Sequence, residues 1–593
     1  MRRRSILASA ALAVAISTWG TAGALAGDKR SGFKTEQPSM LTPVKQGVAV
    51  SPLLTVGDVL RSGYRFESIP DGISVRTRGR GRVDLFVNHE TSKVPFPYNA
   101  TAPTAANGEN DFDNAQVSRL ILNQHSAGVL GGSFVIPSSF GYQRFCSNYL
   151  ATEREGFSRE ILFTNEESPD YVFRQEDSWP PPIGSPAERE AGLVVALDVR
   201  NGKHRPIHGM GRHNHENNVA IPGYRKPVVF SGDDTFTSGP LTGVFPEGAV
   251  PAQSQLYSYI APSTGALLAD KGDLWAFVSD TPGVKNYYDV KPGSGQVVRG
   301  HFIRVPKDIA TGLNPDGSEL KAADKGYPAP PANGSWQTDL RSVTPVGIDG
   351  PQWVLEYWSD INNVFQFVRV EDIAYDKRPG MGNVVYIVDS GRGRTVAQSP
   401  DTAFRSTNGR VWKMVLDPDD PTKVTSLTVF AEGDDNPVKT PTEIHQPDNL
   451  ETTRSGLLVT EDPGSSQQYP AGSTEPDATT ARLWQVPFSG TPEVVVKIDQ
   501  SADETTPDQD PPDVITPGSM LNSPGNWGAW ETSGIVDASA AFGAGAFLID
   551  VQAHTFWVDS APGPDTFIDA NTDPDFTYKR EGGQLLLIRI PGI

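Results

Sequence analysis

GLLVTEDPG (456–464), followed after an insert by ARLWQVPFSGTPEVVVKID (481–499), is an apolar strand ending in two carboxylates, then a strand that turns back on glycine. The pattern returns along the chain. It appears as LFVNHE (85–90) with VSRLILN (117–123), as ILFTNEESP (161–169) with GLVVALDVRNGKHRPI (192–207), and as VVFSGDDT (228–235) with SQLYSYIAPSTGALLADKGDLWAFVSD (254–280). It appears again as VVYIVDSGRGR (384–394) with GRVWKMVLDPDDPTKVTSLTVFAEG (409–433), and as AFLIDVQAH (546–554) with GQLLLIRIPG (583–592). Short strands repeated in this way cannot bury their faces alone and stack radially. The chain therefore reads as an all-β, six-bladed β-propeller.

The segments just upstream of the copies are the expected innermost strands, which would line the central channel. They are FCSNYLATE (145–153), HNHENNVAIPG (213–223), VRVEDIAYD (368–376), HQPDNLETT (445–453) and WETSGIVDAS (530–539). Each carries a carboxylate, and the first also carries the single cysteine of the chain. Convergence on one axis would bring Cys146, Glu216, Glu371, Asp448 and Asp537 toward a common point. Like charges gathered in a closed tunnel call for a neutralising cation, so the architecture predicts metal.

The first residues predict export. MRRRSIL is a basic n-region, ASAALAVAISTWGTAGALA an apolar stretch, and Ala24-Leu25-Ala26 a small-residue cleavage site, which makes 1–26 a signal segment. Arg2-Arg3-Arg4-Ser5-Ile6-Leu7 also fits a twin-arginine signal, the alternative being an ordinary secretory signal with a basic start. Stable membrane insertion is not expected, because the apolar stretch is broken by Ser, Thr and Gly and no later run approaches spanning length.

Composition narrows the function further. With 51 Lys and Arg against 71 Asp and Glu, the formal charge is −20. That balance argues against nucleic-acid binding, which needs concentrated cationic side chains, and suits Ca²⁺ held by carboxylates. One cysteine excludes an intrachain disulfide. The 58 Gly and 50 Pro suit many turns between strands. Residues 27–593 read as one propeller domain, expected to be monomeric. Within it, 27–60 looks like a leader strap of little periodicity, and 91–116, 170–190 and 465–480 look like surface loops. The insertion around 281–350 is expected to form a cap beside the channel, and SADETTPDQDPPDVITPG (501–518) an acidic loop.

Four stretches resemble one known family, the PhoX-type alkaline phosphatases. They are Gly-Arg-His-Asn-His-Glu-Asn (211–217) followed by VVFSGDD, Arg369-Val-Glu-Asp372 followed by VVYIVDSG, PDNL (447–450) followed by LLVTEDP, and SGIVDAS followed by LIDVQAH. The resemblance spans about residues 80–592. It implies a six-bladed propeller, twin-arginine export, and a channel-mouth cluster of iron and calcium that hydrolyses phosphate monoesters. It also implies roles: Cys146 as an iron-bound thiolate, Glu216 and Glu371 as carboxylate ligands, Glu166 and Glu167 as an acidic pair on calcium. Asp448, Glu461 and Asp462 would be further oxygen ligands, and Arg369 a phosphate-contacting arginine. One segment departs from the family: a Gly-rich, Trp-containing stretch after the cysteine is replaced here by SNYLATEREGFSREILFTN.

The residue types fit that chemistry. Thiolate suits iron better than calcium, carboxylates suit both and can bridge, and a guanidinium can fork onto phosphoryl oxygens. Other readings stand beside it. The cysteine can be a packing residue, Asp389, Asp462 and Asp550 can be blade turns, Arg369 can pair structurally with Glu371 or Asp372, and His213 with His215 can hold zinc. The functional alternatives are a calcium-dependent lactonase or phosphodiesterase-like propeller, and a non-catalytic extracellular binding propeller stabilised by calcium.

Overall fold

A computed structural model describes residues 31–67, 69–90, 96–97, 115–169, 171–172, 189–235, 241–245, 248–250, 253–331, 346–391, 408–433, 443–462, 480–499, 530–559 and 576–593. The export signal at 1–26, the acidic stretch 501–518 and nearly all of the three expected surface loops lie outside these residues. The chain is mostly strand, arranged as a propeller-like ring. Six strands face the axis: Pro70–Gly79, Phe145–Ala151, His215–Ala220, Val370–Tyr375, Pro447–Thr452 and Glu531–Asp537. Each packs beside the next, and the last returns to the first.

Behind each inner strand the chain meanders outward in antiparallel pairs. The second strands Ile161–Glu166, Val228–Asp233, Val384–Asp389 and Gly456–Glu461 are buried at every position. That is why they read as continuous apolar runs instead of alternating ones: a strand covered on both faces has no solvent side. Hydrogen bonding divides the described strands into five large sheets and two small hairpins. The third and fourth repeats are joined, because Val298–Arg304 pairs with Asp273–Ser279 on one side and Lys423–Glu432 on the other. This strand comes from the 281–350 stretch expected to be a cap, so part of that insertion is sheet.

The leader strap is also more ordered than its weak periodicity predicts. Leu41–Pro43 adds to the outer edge of Glu493–Ile498, and Ala49–Thr55 pairs with Phe576–Arg589. Leu53 and Leu54 are buried in that pairing. A strand from early in the chain thereby completes the sheet built from its last strands, joining the ring where the chain would otherwise leave a gap.

The rest of the 281–350 region leads into the helix Pro351–Ile361, which starts with Pro at its first turn. Its amino end is docked through Glu190, whose Oε2 accepts the Gln352 N–H at 3.1 Å. Burial, then the Glu319 charge, pushes the Glu190 carboxyl up to about 8, against Arg212, the Gln352 N–H and Lys321, which lower it. A carboxyl raised above its unfolded value stabilises fully below that unfolded value and loses the contribution as pH rises through the folded one. Stability should therefore decline between roughly pH 5 and 8 from this group, by up to about 1.4 kcal/mol per pH unit, and level off above that. Glu190→Gln should flatten that part of the melting-temperature profile, and an unchanged slope would remove Glu190 as its source.

Candidate metal centre

All six inner strands carry a β-bulge at the same register. Against its neighbour the inner strand gains one residue between Pro70 and Ile73, Phe145 and Asn148, His215 and Asn218, Val370 and Ile373, Pro447 and Leu450, and Thr532 and Ile535. The first residue of each bulge is Asp71, Cys146, Glu216, Glu371, Asp448 and Ser533. A bulge re-aims the side chain it carries. Six equivalent bulges on a ring aim six side chains at one axis, and five of them can ligate metal.

A second tier comes from the ends of the neighbouring strands. The N–H groups of Glu90, Glu167, Asp234, Ser390 and Asp462 donate to the carbonyls of Ile69, Arg144, Asn214, Arg369 and Gln446, the residues just before the inner strands. One contact repeated around the ring thus fixes four carboxylates and a serine above the bulge residues. Three of the preceding residues, Arg144, Arg369 and Gln446, hold left-handed backbone at φ 45°, 63° and 48°. Non-glycine residues adopt that conformation sparingly, and it concentrates at functional sites.

Ligand atoms fall into three overlapping groups: Asp71, Glu90 and Cys146; Cys146, Glu167 and Glu216; and Glu216, Glu371 and Asp448, with the atoms of each group within 4.8 Å of one another. Cys146 belongs to the first two and Glu216 to the last two. Overlapping groups of this kind could hold cations on shared ligands. Cys146 Sγ lies 2.6 Å from Asp71 Oδ2 and 3.3 Å from Glu216 Oε1. Ser147 Oγ donates to Glu216 at 2.7 Å, and Ser390 Oγ to Glu371 at 2.5 Å.

The carbonyls freed by the bulges are met by buried asparagine amides, two of them from the second strands. Asn88 donates to Cys146 O at 2.5 Å and Ser147 O at 3.1 Å, Asn165 to Ser147 O at 3.1 Å and Glu216 O at 3.0 Å, and Asn148 to Gly72 O. Buried backbone groups left unpaired would cost stability. These asparagines therefore hold the bulges, and with them the ligand positions.

The electrostatics without cations are severe. Burial, then neighbouring carboxylates, pushes Glu216 and Asp448 well above the usual carboxylate range; for Glu216 the neighbours are Glu167, Glu371, Asp448 and Asp71. Glu371 is driven up by burial and Asp234 against the opposing Arg369. Glu167 is driven up by burial and Asp234 against Arg144, and Glu531 by burial and Asp462. The Cys146 thiol is pushed up by burial, then Asp71 and Glu216. Carboxylates that resist ionisation together in a buried site are the donor set that a multivalent cation would relieve.

Among the expected ligands, Cys146, Glu167, Glu216, Glu371 and Asp448 are brought together, and Asp462 reaches their rim, 3.4 Å from Arg369 Nη2. Glu166 and Glu461 are not. Glu166 takes both Arg189 nitrogens, at 2.5 and 2.6 Å, and the N–H groups of Gln143 and Leu193. Glu461 takes Arg482 at 2.8 Å through both oxygens, the Trp484 indole and the His445 N–H. Strand parity explains the split: successive side chains point to opposite faces, so Glu167 and Asp462 reach the channel while Glu166 and Glu461 reach into the blade.

Asp537 is corrected as well. It lies at the far end of its strand, where its N–H donates to Glu451 and its carboxylate takes the Ser539 N–H at 2.8 Å. Glu531 at the near end and Ser533 at the bulge stand where it was expected. Asp389 and Asp550 lie within strands and are not turns. His213 and His215 stack at 3.5 Å between ring centres, and His215 Nδ1 meets Ser231 Oγ at 2.7 Å. Both are held neutral, His215 down to about 3, chiefly by burial. No group of three metal-ligating atoms among the described residues includes either histidine.

Asp71, Glu90, Asp234 and Glu531 were not anticipated. Asp71 sits in PDGISV just before the first repeat, where a sixth inner strand completes the ring. Arg369 forks onto Asp234 at 2.9 and 3.2 Å and lies 3.0 Å from Glu371. Away from this centre, at the opposite end of the inner strands, a cleft of about 440 Å³ is lined by Tyr224, Tyr375 and several charged residues. Its charges are engaged in pairs such as Arg378 with Asp376 at 2.6 Å.

The sequence matches no protein-family model and no curated protein. Among solved structures it is similar to an acylaminoacyl peptidase of Pyrococcus horikoshii, at 7% identity and TM-score 0.21, over 83% of this chain and 59% of that one. It is also similar to an acylaminoacyl peptidase in complex with Z-Gly-Gly-Phe-chloromethyl ketone, at 9% identity and TM-score 0.20, over 72% and 52%. The chain thus spans little more than half the length of these structures. Among the described residues no helix is long and apolar enough to cross a membrane.

Proposed function

We propose that this chain is an exported phosphatase that hydrolyses phosphate monoesters at a multi-cation centre, as its motifs' resemblance to the PhoX-type alkaline phosphatases implies. The observation that supports the reading most is the set of three overlapping ligand groups sharing Cys146 and Glu216. A site for one structural ion needs no shared ligands; a row of adjacent cations does.

The donor set divides by softness. Thiolate with carboxylates, around Cys146, suits iron, and the all-oxygen group of Glu216, Glu371 and Asp448 suits calcium. Bound there, the cations would draw in phosphoryl oxygens and activate a water for in-line attack. The chain's own residues supply the rest. Ser147 and Ser390 hold the Glu216 and Glu371 carboxylates in fixed orientations through their hydroxyls. The raised carboxyls and the Cys146 thiol give up their protons as cations bind, which makes loading favourable at alkaline pH. Arg369, forked onto Asp234 and 3.0 Å from Glu371, would be the guanidinium that offers its fork to an equatorial phosphoryl oxygen.

Elemental analysis of the purified protein beside a generic phosphomonoester assay tests the reading. Iron with calcium and turnover would support it; calcium alone without turnover would leave a scaffold, and calcium with ester or lactone hydrolysis only would leave the lactonase alternative. Arg369→Ala should lower kcat/KM on the order of 10²-fold with cations retained, because it removes an electrostatic stabiliser of the transition state. Lys at this position should restore little, since it cannot reproduce the fork. Unchanged kinetics would make Arg369 a structural partner of Asp234.

A further inference from the structure

Arg369 has a positional twin. Arg144 stands immediately before the Cys146 strand, as Arg369 stands immediately before the Glu371 strand, and its φ of 45° is left-handed like the 63° of Arg369. Its carbonyl takes the Glu167 N–H at 2.9 Å, the counterpart of the Ser390 N–H on Arg369 at 3.0 Å. The two arginine-bearing strands are separated in the ring by the Glu216 strand alone. Across the mouth a charge sequence results: Arg144 opposes the rise of Glu167, burial and then Asp234 drive that rise, and Asp234 is forked by Arg369. Two cations therefore flank two carboxylates directly over the ligand that joins two cation sites.

We infer that Arg144 is a second oxyanion-gripping arginine, which closes on a tetrahedral dianion from the side of Glu216 opposite to Arg369. This rests on the phosphatase reading for the identity of the dianion. Two guanidiniums on either side of the Glu216 strand would take separate equatorial oxygens of the dianion.

The test uses the full exported protein loaded with metal and inorganic phosphate as the probe, with binding followed by calorimetry alongside phosphomonoester hydrolysis. Arg144→Gly removes the guanidinium while suiting the left-handed backbone, so the fold is not put at risk. It should weaken phosphate binding on the order of 10-fold or more at unchanged metal content, and Arg144→Lys should recover only part. The double variant with Arg369→Ala should lose more than either single one. Phosphate affinity indifferent to Arg144→Gly would overturn the inference while leaving the phosphatase reading intact if hydrolysis persists. Arg144-dependent phosphate binding without hydrolysis would support the inference and overturn the phosphatase reading. A metal-loaded wild-type protein that binds no phosphate would overturn both.

Discussion

Glu216→Gln should empty more than one cation site at once. Its carboxylate is the ligand common to the Cys146 and Glu167 group and to the Glu371 and Asp448 group, so a neutral amide there weakens both. Elemental analysis should show a larger loss for Glu216→Gln than for Glu371→Gln, because Glu371 belongs to one group only. Hydrolysis should fall on the order of 10²-fold or more, the scale expected when a metal site loses a group that fixes it. The fold should survive. In metal-free protein Glu216 is a buried carboxyl pushed up by burial and four neighbouring acids, and removing one member of a like-charged cluster relieves repulsion. The metal-free variant should therefore melt no lower than metal-free wild type, and the metal-loaded variant should melt lower than metal-loaded wild type. Equal metal content in Glu216→Gln and wild type would show that the axis cluster does not hold the cations.

How much of this was legible in the sequence depends on which physical rule each residue obeys. The propeller was readable because the second strands are covered on both faces, leaving runs such as VVYIVD and GLLVTE that no solvent-facing strand would show. The positions of Cys146, Glu216, Glu371 and Asp448 were readable because a carboxylate or the single thiol recurs in the segment just before each run. Their aim was not. It comes from a bulge of one residue in each inner strand, and a bulge leaves no periodic trace. The Glu-Glu pair at 166–167 shows the limit clearly. Adjacent identical residues look alike in sequence, yet parity sends Glu167 to the channel and Glu166 to Arg189. Asp537 failed for a different reason: a strand of seven residues has two ends, and only its Glu531 end faces the centre. Asp71 was missed because PDGISV has its glycine at the bulge and does not resemble the other inner segments. The strands within the 27–60 strap were not legible because Ala49–Thr55 packs on one edge, where the burial pattern is irregular.

Removing the cations should reverse the way stability responds to pH. In the metal-free protein Glu167, Glu216, Glu371, Asp448 and Glu531 all have carboxyls raised well above their ordinary values, first by burial and then by neighbouring acids, led by Asp234 for Glu167 and Glu371, by Asp462 for Glu531, and by one another for Glu216 and Asp448. A raised carboxyl binds its proton in the folded state at pH values where the unfolded chain has already released it. Its contribution is complete below the unfolded value near 4 and is lost as pH rises toward the folded value. Chelated protein should therefore melt progressively lower as pH is raised from about 5 to about 9. Cation-loaded protein should do the opposite over the same range, since protons compete with cations for the same oxygens and the thiolate, and binding strengthens as they leave. Each site held at a hundred times its Kd adds about 2.7 kcal/mol to the folded state. Three adjacent sites would open a gap of several degrees between the two profiles that widens toward alkaline pH. Scanning calorimetry with and without a chelator measures it, and readdition of calcium and iron should close it. Parallel profiles would mean that no cation competes with protons for these oxygens, which would dismantle the cluster as a cation site whatever its activity.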